Sequence, residues 1–165
     1  IAAGLGHGGI EAMLLIGMTY INNLLYAGMI NGGTFDMTVE QTAALGVDVS
    51  SLLAVKDALL NTPSYLFGLA GYERLLTIIC HTAMSLLVCY FVYKKQTMKG
   101  VLIALILHTI LDCVSGLISG LSTPYMGSVI SENTGYVLVY GFLTIMAAIS
   151  VVIILKVKKE FKKEA

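Results

Sequence analysis

Charge is scarce in this chain. Asp, Glu, Lys and Arg make up 12% of its 165 residues, whereas 57% are hydrophobic and the mean hydropathy is +0.85. Soluble domains carry about twice that share of charge, so this balance excludes an ordinary soluble domain and leaves an integral membrane protein. Net charge is lacking as well: the formal sum is zero, and no basic stripe exists beyond short lysine clusters, which excludes a nucleic-acid partner. Cysteine is sparse. Cys80, Cys89 and Cys113 each stand alone inside apolar runs, so neither a disulfide framework nor a zinc ribbon is available, and all three read as small core residues. No internal repeat is visible. The chain opens at Ile1 rather than at a methionine, and the expectation is that a further segment precedes it.

What is present is a set of long apolar runs. The expected fold is all-α, a polytopic transmembrane helix bundle forming one membrane domain over residues 1–165, with spans at about 2–26, 64–93, 100–122 and 135–156. Residues 31–62 shift in composition: NGGTFD is turn chemistry, Asp36, Glu40, Asp48 and Asp57 are acidic, and VSSLLAVKDALL has the spacing of a short amphipathic helix with a serine N-cap. Lys94, Lys95 and Lys99 lie in one hairpin and five more lysines in the tail, which places both ends of the chain on the cytoplasmic side of a plasma membrane and the acidic loop outside. The last span, free of charge until Lys156, reads as peripheral scaffold.

Against this apolar background the ionisable residues stand out, because each costs roughly 2.5–3.5 kcal/mol at the centre of a membrane helix on insertion scales. His108 and Asp112 are four residues apart in VLIALILHTILDCVSGLISGL, and Ser115 and Ser119 continue their stripe. His7 and Glu11 form a second i,i+4 pair, in a segment with four glycines among its first nine residues, and Asn22 is expected on the Glu11 face. Those glycines read as close packing and not as a phosphate loop, since no strand precedes them. Arg74, Thr77, His81 and Ser85 form the third stripe. At about 1.5 Å per residue from the cytoplasmic ends of the helices, Glu11 and His108 lie roughly 12–15 Å deep and His81 and Asp112 roughly 20 Å, so the four can meet. Glu73 falls roughly 30 Å away, and it and the adjacent Arg74 are expected to form separate pairings near the outer boundary.

Two histidines and two carboxylates at one depth can hold a divalent metal and activate water. Without metal, a glutamate can serve as general base while a histidine supports the oxyanion. The same residues could instead form the proton relay of a carrier or channel, although the inverted repeats usual in transporters are not seen, and His81 and His108 could ligate a b-type haem.

The ordered set GLGHGGIEA, ERLLTIICHTAMS and LHTILD resembles the YhfC family of bacterial intramembrane metalloproteases, over roughly residues 1 to 120. That family is related to the PrsW peptidases and, more distantly, to the CAAX prenyl endopeptidases. The resemblance implies an intramembrane endopeptidase acting on a membrane-embedded or lipid-modified substrate. Glu11, His81 and His108 would be its catalytic and, if zinc or another divalent metal is used, metal-binding residues. Asp112, His7, Glu73 and Arg74 would be supporting groups. The paired-glutamate motif of the related families, EExxxR or EExxK, is not found in this sequence.

Overall fold

In the computed structural model, which describes residues 2–163, the chain is helical from end to end, with no strand among the described residues. Helix α1 (Ala2–Ala12) runs through a π-helical turn (Met13–Gly17) into α2 (Met18–Asn31). Two shorter helices follow, α3 (Phe35–Ala44) and α4 (Ser50–Asn61). The long helices are α5 (Ser64–Tyr93), α6 (Thr97–Leu121) and α7 (Glu132–Lys163), with a 3₁₀ turn at Pro124–Met126.

Three helices, α5, α6 and α7, are long and apolar enough to cross a membrane, rather than the four expected. The segment expected to span over 2–26 is not among them: the π turn separates α-helices of 11 and 14 residues within one helical run. A π turn absorbs about one extra residue, so it also rotates Asn22 off the Glu11 face on which regular helical spacing would put it. The acidic stretch is more ordered than its composition indicates, since α3 precedes the expected amphipathic α4. No serine caps α4; Val49 is its N-cap. The Asp48 carboxylate instead accepts hydrogen bonds from the Ser50 backbone N–H and hydroxyl, which hold its pKa below the ordinary carboxylate value.

The chain divides into two compact units. In the unit of residues 11–70, α2 and α4 flank a cavity of about 380 Å³ lined by Tyr20, Asn23, Leu24, Leu59 and Phe67, and the Tyr20 hydroxyl donates to the Phe67 carbonyl. Lys56 pairs with Asp36 there. The other unit holds residues 2–10 with 71–163. Its core is a seam of four-residue ridges: Leu76, Cys80 and Met84 of α5 face Val139, Leu143 and Ala147 of α7, with Leu111 of α6 between them. Helix α7 is therefore not peripheral. It supplies half of the seam, while its other face and that of α6 leave Ile106, Leu117, Ile145 and Leu155 exposed, as lipid-facing residues must be. The hairpin and the tail end together, since Tyr90 and Tyr93 both pack on Phe161 at 5.9 and 5.5 Å between ring centroids.

Three helices stop in the same way. The N–H groups of Thr34, Val47 and Gln96 reach back to the carbonyls of Met29, Thr42 and Phe91, and the residue before each has a positive φ: 72° at Gly33, 75° at Gly46 and 58° at Lys95. This is the Schellman arrangement, whose left-handed position costs an L-residue about 1–2 kcal/mol and glycine nothing. Lys95→Gly should therefore stabilise the protein by up to about 1 kcal/mol after the extra freedom of glycine in the unfolded chain is subtracted, whereas Lys95→Val should destabilise it. Unfolding midpoints in detergent check the sign.

Candidate functional site

Glycine spacing decides how close α1 comes to α5. A Cβ placed on Gly4 would lie 2.6 Å from the Thr82 Cα, and one on Gly8 would lie 3.1 Å from the His81 Cβ and 3.3 Å from the Ile78 Cα. Glycines four apart clear one face of a helix for backbone contact. The Cβ positions of Gly6 and Gly9 meet nothing within 4 Å, so packing constrains only half of the glycine run.

That approach places His7 against His81, with ring centroids 5.3 Å apart at an interplanar angle of 71°. The His81 ring also lies 5.1 Å from that of His108 on α6. All three histidines of the sequence thus form one row, contributed by three helices. His81, the middle member, is buried at 7% exposure. The ligand atoms of His7 and His81 lie within 4.8 Å of one another. Glu11 stands one turn beyond His7 on α1.

His108 turns the other way. Its Nε2 is 3.3 Å from Asp112 Oδ2, one turn further along α6, and the two side chains are 40% and 70% exposed. Asp112 therefore reaches the row only through His108, as an orienting group would. Ser115 continues the stripe with its hydroxyl oxygen buried and unpaired.

Glu73 and Arg74 lie apart from the histidines. They do not pair separately as expected: the Arg74 guanidinium bonds the Glu73 carboxylate directly, since both side chains are long enough to span the angle between adjacent helical positions. Glu73 lines a different cavity, about 180 Å³, with Ser119, Ser122, Glu132, Tyr136 and Tyr140, eight residues and so roughly 12 Å along α5 from His81.

A cavity of about 290 Å³ opens at the histidine row and is lined by His7, His81, Met84, Ser85, Val88, Val101, Ala104, Leu105 and His108. His7, read from the sequence as a supporting group, is the histidine of α1 that meets His81. Its signal was the Gly4–Gly8 spacing around it, which is the spacing of a helix face built for close approach.

A family model described as YhfC intramembrane metalloprotease matches residues 1–131. The chain is also similar to "Uncharacterized membrane protein YhfC" of Bacillus subtilis (strain 168), with 33% identity over 162 residues that cover 98% of this chain and 57% of that protein. The chain thus spans little more than half the length of this relative. No solved structure matches.

Proposed function

The chain belongs to the YhfC intramembrane metalloprotease family, and from that membership we propose that it carries the histidine and glutamate site of an endopeptidase that cuts a membrane-embedded or lipid-modified substrate. The observation that supports this reading most directly is the row His7–His81–His108 at the mouth of a cavity in the membrane-spanning unit.

The donor set suits a divalent metal. Two imidazoles and a carboxylate are the ligand types zinc takes in hydrolytic sites, with one position left for water. In this reading His7 and His81 offer imidazoles to the metal and Glu11, one turn along α1 from His7, the carboxylate, while His108, whose Nε2 faces Asp112, is left for proton transfer. When bound, such a metal supplies a water of lowered pKa and polarises the scissile carbonyl.

The chain's own groups do the rest. Asp112, 3.3 Å from His108 Nε2, would hold a proton on that nitrogen and leave Nδ1 as the base. His108 then takes a proton from the attacking water and returns it to the leaving amine nitrogen. Burial of His81 beside apolar Met84 and Ala104 keeps bulk water from that imidazole and strengthens its own interactions. The site would work from within the plasma membrane, with the lysine-rich hairpin and tail on the cytoplasmic side.

Metal content of the purified full chain tests this reading without reference to activity. The expected result is about one zinc-class ion per chain, lost in His7→Ala and His81→Ala and kept in His108→Ala. Loss in His108→Ala with retention in His7→Ala would return the site to the Glu11, His81, His108 set. Absence of metal from the unaltered chain, with proton-coupled flux instead of cleavage, would turn the row into a transport relay.

A further inference from the structure

The cavity beside the histidines has direction. Met84, Ser85 and Val88 on α5 and Val101, Ala104 and Leu105 on α6 form its walls, and both sets run from the histidines toward the Lys94–Lys99 hairpin. The distance from His108 to Val101 is seven residues, about 10 Å, or some three residues of extended peptide. In the other direction the helices are shut by Leu76, Cys80 and Leu111 packed on Val139 and Leu143. The groove therefore extends from the histidines toward the hairpin and ends at this packed core on the other side. The walls are apolar, and Ser85 and Ala104 are too small to fill the space between them.

Lysine outnumbers acid at the open end, where Glu160 is the acidic neighbour of Phe161. From residue 75 to residue 111 the sequence contains no acidic residue, and its only formal charges besides the histidines are Lys94, Lys95 and Lys99. The Lys94 ammonium stands over the Tyr90 and Tyr93 rings and that of Lys99 over Phe91, at 5.4–5.8 Å. Phe161 packs on Tyr90 and Tyr93, which brings the tail lysines to the same end.

We propose that this groove is the substrate subsite on the hairpin side of the scissile bond, and that it takes about three small or medium apolar residues followed by acidic side chains that meet the lysines. The proposal rests on the protease reading and names its substrate class. A basic flank, common where membrane segments reach the cytoplasm, would be repelled by Lys94, Lys95 and Lys99, so the site discriminates by charge as well as by size.

The test separates binding from cleavage. The full chain with His81→Ala, carrying a photocrosslinking amino acid at Leu105, is placed in vesicles of zwitterionic lipid with synthetic apolar peptides. The peptides end in Val-Ala-Ala-Asp-Asp or Val-Ala-Ala-Lys-Lys, both as C-terminal amides. The acidic peptide should be labelled at least fivefold more than the basic one. The triple change Lys94→Glu, Lys95→Glu, Lys99→Glu should reverse that preference, and Ala104→Phe should suppress labelling by both. Equal labelling of the two peptides, no labelling, or labelling unaffected by Ala104→Phe overturns the proposal. Cleavage of the same acidic peptide by the unaltered chain is read separately. Selective labelling without cleavage supports the groove while removing the protease reading.

Discussion

His81→Ala, introduced into the full chain in lipid vesicles, is expected to abolish cleavage of a transmembrane reporter, with a loss on the order of 10⁴-fold or more out of the 10⁶–10¹⁷ by which enzymes accelerate reactions. His81 is buried and its ring meets those of both His7 and His108, so under the proposed reading its removal takes away a ligand and the contact that aligns its neighbours. Glu11→Gln should be comparable, because an amide neither carries the charge nor binds metal as a carboxylate does. His108→Ala should cost about 10²–10⁴-fold, the range of general acid–base catalysis, and Asp112→Asn only about tenfold, because the amide can still accept from the His108 ring. Glu73→Gln should change cleavage by less than about threefold, since Glu73 is engaged with Arg74 at another cavity. Reporter cleavage quantified by mass spectrometry, alongside folded yield, decides the matter. Undiminished cleavage in His81→Ala would end the reading.

The second large effect comes from residues with no functional group. Gly4→Ala and Gly8→Ala should each lower activity by about 100-fold or more, as expected when a reacting group is displaced by about 1 Å. At Gly4 the new methyl would sit 2.6 Å from the Thr82 backbone, which cannot give way as a flexible side chain can, so α1 must move off α5 and take His7 with it. Overpacking of this kind also destabilises by about 1–3 kcal/mol. Gly6→Ala and Gly9→Ala are the controls. Their Cβ atoms meet nothing within 4 Å, so activity should be kept and the helix should gain up to about 1 kcal/mol of propensity. Equal losses at all four positions would mean that the glycines serve flexibility rather than approach.

These two effects mark where sequence and tertiary structure divide. The scarcity of charge and the long apolar runs determined an all-α membrane protein, because a bilayer accepts only backbone that satisfies its own hydrogen bonds. Helical periodicity determined the i,i+4 pairs His7–Glu11 and His108–Asp112, since three to four residues return a helix to the same face. Depth counted along the helices put His108 at roughly 13 Å and His81 at roughly 20 Å, near enough to meet, and their rings lie 5.1 Å apart.

Periodicity describes one helix at a time and could not decide which faces meet. The rotation and distance of α1 against α5 depend on Gly4 and Gly8 facing Thr82 and His81, and that contact made His7 a neighbour of His81 while Asp112 held His108 on the other side. The π turn that divides the first apolar segment leaves no trace in hydropathy, because its residues, MLLIG, are as apolar as the α-helix they interrupt. The same limit applies to α7, whose charge-free span looked like scaffold. Only packing showed that Val139, Leu143 and Ala147 are half of the seam that closes the groove behind the histidines, because burial against another helix and exposure to lipid favour the same apolar side chains.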